Sequence, residues 1–432
     1  ILVASHQWHH KYWRGLEMIE SIQIKNFRGI QSGRIDRFKK FNLLVGPNNS
    51  GKSAVLEAIY IASTSDRPAR ITFRQEQINY DGQTSDNDLI GYHPMARILD
   101  RHSYDVSILH SIPDEGAQIQ FIESSAPLRD FDISFAPISD RAAPDQGKTL
   151  AVFKLEAKDD YPKETYDDLA QRIFGEPASL SDGLKLIYCW LPSLTYYGSD
   201  SAAWLVKGRL APSRHTLLYD ISTTSGHLPM NFFRRMIKTI PGWTQKIASQ
   251  FGQVLDLREK FNVQFLPSDR EQKWAQGWIA PEDRIALTID TYGAGARAVF
   301  KAITPLIALS ELANEDAPGL FIWEEPEFFQ DPRTLSRLLA EVAALIKAKP
   351  IQLFIATQNL EVIANFTALA QQGKIDRDEL MAFRLGLREG KLSSSWFNAD
   401  NLTAWLEEGL DPRVCGDFKS PLQFGFLEEG GQ

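Results

Sequence analysis

The chain has 432 residues, 43% of them hydrophobic and 24% charged, with a formal net charge of -8. This globular composition excludes a disordered chain and a nucleic-acid coat held by bulk positive charge, so any DNA contact would have to come from a local basic groove. Cys189 and Cys415, the two cysteines, stand in no ligand spacing, which excludes a disulfide framework or zinc ribbon and points to a reducing, cytoplasmic compartment. No apolar run reaches the roughly 18 to 20 residues of a membrane span, so no membrane association is expected.

Residues 1–17, including His6, His9 and His10, are aromatic and basic without periodicity and begin at Ile1; they are expected to be an extraneous or disordered tail. Ile22 and Ile24 alternate with polar residues up to Phe27, and Phe41 to Val45 is an apolar run ending at Gly46, so both read as strands. From Lys52, residues Val55, Leu56, Ile59 and Ile61 recur at helical spacing until Ser63–Asp66. Short runs at Asp105–Leu109, Gln118–Ile122, Asp132–Phe135 and Leu150–Leu155 suggest an antiparallel sheet. Between residues 184 and 265 the pattern is mixed. A candidate helix in Pro229–Val254 carries Arg234, Arg235, Lys238 and Lys246 among Phe232, Phe233, Ile237 and Trp243.

After Gly293 the chain reads helical to Ala313, and Leu320–Trp323 follows as a buried strand. Asp331-Pro332 is a helix start, with Leu335, Leu338, Leu339, Val342 and Leu345 on one face, and Leu353–Ala356 is another strand. Strand, helix, strand in this order implies parallel pairing through a right-handed crossover, in one sheet with Phe41–Val45. The expected fold is α/β: a P-loop NTPase with a mixed sheet core, an antiparallel β lobe and a helical insertion. The division expected is a tail (1–17), an N-terminal lobe (18–183), an insertion (184–265), a C-terminal lobe (266–415) and a tail (416–432).

Gly46-Pro47-Asn48-Asn49-Ser50-Gly51-Lys52-Ser53 fits G-x-x-x-x-G-K-S/T. Small residues there let successive backbone N–H groups wrap a phosphate at the positive end of a helix. Lys52 would meet the β and γ phosphates of ATP, and the Ser53 hydroxyl would ligate Mg²⁺. Glu324 and Glu325 emerge at the carboxyl end of an apolar strand, where parallel sheets bind ligands. Of Glu324 and Glu325, one would hold the Mg²⁺ water shell and the other would orient and deprotonate the attacking water.

Ile24-Lys25-Asn26-Phe27-Arg28-Gly29, the loop GPNNSGKS, Gly293-Ala294-Gly295-Ala296-Arg297 and Trp323-Glu324-Glu325-Pro326-Glu327 occur in that order. Together they resemble the ABC-type ATPases of the RecF, SMC and OLD (overcoming lysogenization defect) group, over residues from about Met18 to Arg413. The resemblance implies that two heads sandwich two ATP molecules, with Gly293, Ala294, Gly295 and Arg297 forming the signature offered to the partner's nucleotide. It also implies a magnesium-sensing glutamine, for which Gln75 and Gln77 are both candidates. Arg28 either approaches the nucleotide or is a surface arginine at a strand end. Ala294 replaces the usual signature Ser, and Gln358 stands where a switch His is common but cannot become cationic; slow hydrolysis is expected. The resemblance assigns the Mg²⁺ water shell to Glu324, which replaces the more common Asp, and the attacking water to Glu325.

About twenty residues follow Arg413, so the TOPRIM nuclease domain many OLD-like proteins carry is not expected in this sequence. Asp86-Asn87-Asp88 reads as a solvated loop. The expectation is an ATP-driven homodimer of heads controlling a separate effector protein in phage defence or DNA maintenance. The alternatives are a RecF-like DNA clamp in DNA repair, contacting DNA through Arg234, Arg235, Lys238, Lys246 and Trp243, and a non-hydrolysing scaffold. The basic cluster reads more readily as a solvated amphipathic face.

Overall fold

The computed structural model describes residues 18–64, 69–74, 77–81, 88–92, 97–98, 101, 118–123, 133–134, 136–137, 149–156, 184–191, 200–204, 215–221, 223, 227–282 and 284–413. The expectations for residues 1–17, Gln75, Asp86, Asn87, Asp105–Leu109 and 416–432 lie outside them. Gln77 opens the strand Gln77–Asp81, with its side chain outside the description.

The alternation in β1 (Ile19–Phe27) sends Ile22, Ile24 and Phe27 into the core, and the chain returns antiparallel as β2 (Ile30–Asp36). In β3 (Phe41–Val45) all five residues are buried, as a strand covered on both faces requires. It delivers the chain through the Gly46–Gly51 loop into α1 (Lys52–Thr64). Next come β4 (Gln118–Glu123), β5 (Ile133–Ser134) and β6 (His215–Tyr219). A small unit follows: α2 (Met230–Thr239), α3 (Trp243–Leu255), β7 (Phe261–Pro267) and β8 (Trp274–Pro281).

The C-terminal part runs α4 (Ala294–Leu312), β9 (Gly319–Glu324), α5 (Pro332–Lys347), β10 (Ile351–Ala356) and α6 (Leu360–Gln371), then β11 (Leu380–Arg388), β12 (Lys391–Asn398) and α7 (Ala399–Glu407). Asp331 caps α5, its carboxylate accepting from the amides of Arg333 and Thr334, with Pro332 at the first helical position. Leu335, Leu338, Leu339 and Val342 are buried along one face. Ile346 completes that face, and Leu345 is only half-buried.

Ten strands form one sheet in the order β6-β9-β10-β3-β11-β12-β2-β1-β4-β5. The half containing β6, β9, β10, β3 and β11 is parallel, and the β1, β2, β4, β5 half is antiparallel. The strands around Leu320 and Leu353 thus share a sheet with β3 as expected. Strand β6, inside the stretch expected as an insertion, pairs along its whole length with β9. The antiparallel expectation for Leu150–Leu155 is met by Thr149–Glu156, which pairs with Leu184–Leu191 and Ala136–Pro137.

The candidate helix of Pro229–Val254 is two helices. They are broken at Ile240-Pro241-Gly242, where Gly242 adopts φ +71° and Pro241 has no amide to continue the first. Trp243, expected as a DNA contact, is 1% exposed. Its indole stacks on Phe265 at 5.5 Å and sits edge-on to Phe232 at 5.7 Å. Burying so large an apolar ring outweighs any role at the surface, and that contact is withdrawn.

Candidate functional site

The phosphate loop is built on backbone conformations that its sequence allows. Gly46 has φ +138°, Asn49 φ +61° and Gly51 φ +91°; a side chain at Gly46 would also put its Cβ 2.7 Å from the Leu385 carbonyl oxygen of β11. Lys52 donates from Nζ to the carbonyls of Gly46 and Pro47, both at 2.9 Å. Burial lowers its pKa, while the carboxylates of Glu325, Glu324 and Glu327 oppose that shift. The end of β9 therefore faces the loop lysine, two strands across the sheet from β3.

Glu324 is the last residue of β9. Glu325 turns off the strand at φ +50°, its amide donating to the Ala356 carbonyl at 2.8 Å. Burial raises the Glu325 carboxyl pKa, reinforced by Glu324 and Glu327 and opposed by Lys52. Glu327 is raised as well, again chiefly by burial, and accepts from the Thr357 hydroxyl at 2.7 Å. Gln358 donates to Glu325 Oε1 at 3.4 Å, a long contact. Glu325, Glu327, Gln358 and Arg413 line an open cleft of about 410 Å³, and Arg413 donates to the Gln358 carbonyl at 2.5 Å.

Gly293 is the N-cap of α4, and Arg297 closes its first turn, its backbone N–H donating to the Gly293 carbonyl at 3.1 Å. A Cβ on Gly295 would lie 2.7 Å from the Phe329 carbonyl oxygen, and Gln330 donates to the Gly295 carbonyl at 3.2 Å. The stretch Gly293-Ala294-Gly295 is thereby seated on the turn that follows the acidic pair. Arg297 Nε is buried with no hydrogen-bond partner among the described residues. Arg28, expected at the nucleotide or on the surface, pairs with the fully buried Glu57 of α1 at 2.6 Å.

The sequence reading missed Glu327, Gln330, Arg413 and Arg101, whose guanidinium binds Glu324. Glu327 had a local signal, a third carboxylate within the same turn. The others reach the site only through tertiary structure.

The donor set fits a magnesium ion. Ser53, in the first turn of α1, and Glu324, at the end of β9, offer hard oxygen atoms and only one carboxylate. Mg²⁺ favours such sites, keeping waters and taking its remaining ligands from substrate phosphates.

Residues 18–131 match the AAA ATPase domain family (AAA_15). Over 43 residues the chain is 51% identical to an ATP/GTP phosphatase of Helicobacter pylori, covering 10% of this chain and 12% of that protein. Over 108 residues it is 34% identical to the DNA replication and repair protein RecF of Proteus mirabilis, covering 25% of this chain and 28% of that protein. The chain thus spans well under a third of the length of these relatives. An SMC head solved bound to the C-winged helix domain of ScpA overlays with a TM-score of 0.45 at 12% identity, over 89% of this chain and 99% of that one.

The phosphate loop at the end of β3 lies inside the residues that match the AAA ATPase domain, and the likeness to ABC-type ATPases rests on that loop together with the carboxylates at the end of β9. The longer of the two sequence likenesses is to RecF, over 108 residues. Among the described residues no helix is long and apolar enough to cross a membrane.

Proposed function

We propose that this head binds ATP with Mg²⁺, hydrolyses it, and pairs with a second copy of itself around the nucleotide to control a separately encoded effector in phage defence or DNA maintenance. The observation that carries the reading is Glu325, a carboxyl of raised proton affinity held beside Glu324 and Glu327 and facing Lys52. In it Lys52 leaves the carbonyls of Gly46 and Pro47 for phosphate oxygens, and the loop amides and the start of α1 bind the remaining charge. Glu325 accepts the proton of the attacking water, a task for which a raised carboxyl pKa is suited. Ser53 and Glu324 would hold the metal, which neutralises charge on the phosphates. Gly293–Arg297 would meet the partner's nucleotide, with the exposed Phe328 and Phe329 at the rim.

A DNA clamp working through the α2–α3 cluster is disfavoured by the geometry. Trp243 is core, Arg235 donates to the Leu89 carbonyl and Lys246 pairs with Glu311 at 2.8 Å. Ala294, which lacks the signature hydroxyl, and Gln358, which cannot become cationic, fit slow turnover and keep the scaffold reading as the second possibility.

The test is a pair of variants. Lys52→Ala should weaken ATP binding by about 10- to 100-fold, the worth of one or two charge-assisted hydrogen bonds. Glu325→Gln should keep binding, accumulate an ATP-bound dimer in light scattering, and lower kcat by about 10²- to 10⁴-fold. Turnover unchanged in Glu325→Gln would sink the assignment of the base, and a head that stays monomeric with ATP would sink the pairing. Co-purification from the native host with ATP present would identify the effector, or DNA in its place.

A further inference from the structure

Glu324 carries one methylene more than the aspartate common at its place in related ATPases, so its carboxylate has an additional rotor to restrain before it can serve a metal. The structure supplies the restraint. Arg101 donates from Nη2 to Glu324 Oε2. The same guanidinium places Nε 3.2 Å from Asp220 Oδ2 and Nη1 3.5 Å from Glu57 Oε1. The three carboxylates come from three places: Glu57 from α1, Asp220 from the end of β6 and Glu324 from the end of β9.

These attachments are not interchangeable surface pairs. The Glu57 side chain is 0% exposed, Asp220 1% and Arg101 10%. Glu57 lies four residues beyond Ser53, on the same face of α1 and one turn further along. Asp220 follows Tyr219, which pairs in register with Trp323, so it neighbours Glu324 across the ladder. Arg28 on Glu57 and Arg97 on Asp220, at 3.5 Å, supply the remaining positive charge, giving three arginines to three carboxylates. Among the described residues only Oε2 of Glu324 has a hydrogen-bond partner, so Oε1 is not committed to a protein contact.

We infer that Arg101 is the positioning residue of the metal site, fixing Glu324 through one oxygen and tying its strand to the helix that carries Ser53. The inference rests on the proposed ATP–Mg²⁺ function of this site. Removing an outer-shell partner of this kind costs about 10- to 100-fold in metal affinity.

The experiment titrates Mg²⁺ against the binding of a fluorescent ATP analogue to the full chain, with metal-free binding of the analogue as the control. Arg101→Gln should raise the Mg²⁺ concentration at half-saturation by about tenfold or more, leaving metal-free affinity within about twofold. Combined with Glu324→Gln it should add nothing to that variant's own shift, because both changes remove the same link. A merely structural arginine would give additive shifts and lower metal-free binding equally, and either result overturns the inference. If Arg101→Gln does not fold by circular dichroism, Arg101→Lys goes through the same cycle, since it keeps the charge and loses the fork. Wild-type binding that ignores Mg²⁺ overturns the parent reading as well. A wild type that responds beside an unchanged Arg101 variant overturns this inference alone.

Discussion

Two stretches of this chain interleave aromatic rings with charges, and they bury opposite halves. In α2, Phe232, Phe233 and Met236 go into the core, while Arg234 and Lys238 remain at the surface. In the turn after β9, Glu325 and Glu327 are drawn inward, and Phe328 and Phe329 are left 41% and 50% exposed. The first arrangement lowers the free energy of the single head through apolar burial. The second accepts half-buried carboxylates of raised proton affinity and uncovered rings, costs that a stability criterion alone would remove and a reaction or an interface explains.

The sharpest way to break the comparison is Trp243→Ala. If the α2–α3 unit is core, the change should destabilise the head by about 3–5 kcal/mol in denaturant unfolding; a loss below 1 kcal/mol with impaired DNA binding would restore the surface reading. Next is Gly295→Ala. Its Cβ would meet the Phe329 carbonyl oxygen, so backbone has to move at a cost of about 1–3 kcal/mol. Hydrolysis should fall together with the melting temperature, and an unchanged melting temperature would show that the turn adapts freely.

The third probe is pH. Burial and the neighbouring carboxylates raise the Glu325 pKa in the folded head. The folded state thus holds that proton more tightly than the unfolded chain, and the stability it contributes at low pH is lost as pH rises through the folded pKa. At neutral pH the ionised group opposes folding, so Glu325→Gln should raise the melting temperature of the nucleotide-free head while it stops turnover. In wild type the acidic limb of kcat/KM, which reports the nucleotide-free head, should lie above the ordinary carboxylate range, falling about tenfold per pH unit below it. A limb at the ordinary value would remove the shift from the mechanism.

The smallest effect on the single head belongs to Phe328→Ser. Its stability should stay within about 0.5 kcal/mol of wild type, as for an exposed position, while the ATP-dependent dimer fraction falls. Loss of monomer stability instead would place the ring in the core.

The strand–loop–helix of Phe41–Thr64 was legible because glycine positions, apolar run and helical spacing are local signals, and β9 and β10 were legible as unbroken apolar runs. The break between α2 and α3 was also local; Pro241-Gly242 is a turn dipeptide that the basic-aromatic pattern overshadowed. By contrast, β6 is five residues whose place is set by pairing with a strand about a hundred positions later. Arg101 meets Glu324 across 223 positions, and no spacing rule reaches that far. The Arg28–Glu57 pair lies between these extremes, 29 residues apart and visible only once the hairpin is laid against α1.

The placement of β3 between β10 and β11 has a consequence in time. Both neighbours follow β3 by roughly 300 residues or more, and a ribosome working at about 5–20 residues per second needs on the order of 15–60 s to make them. During that interval Phe41, Leu43, Leu44 and Val45 emerge with neither flanking strand to pair with, and the loop behind them has no Leu385 carbonyl to lie against. The native pairing of β3, and the Leu385 carbonyl against Gly46, therefore wait for strands made at the far end of the chain. The phosphate loop is synthesised early and receives its last native neighbours late.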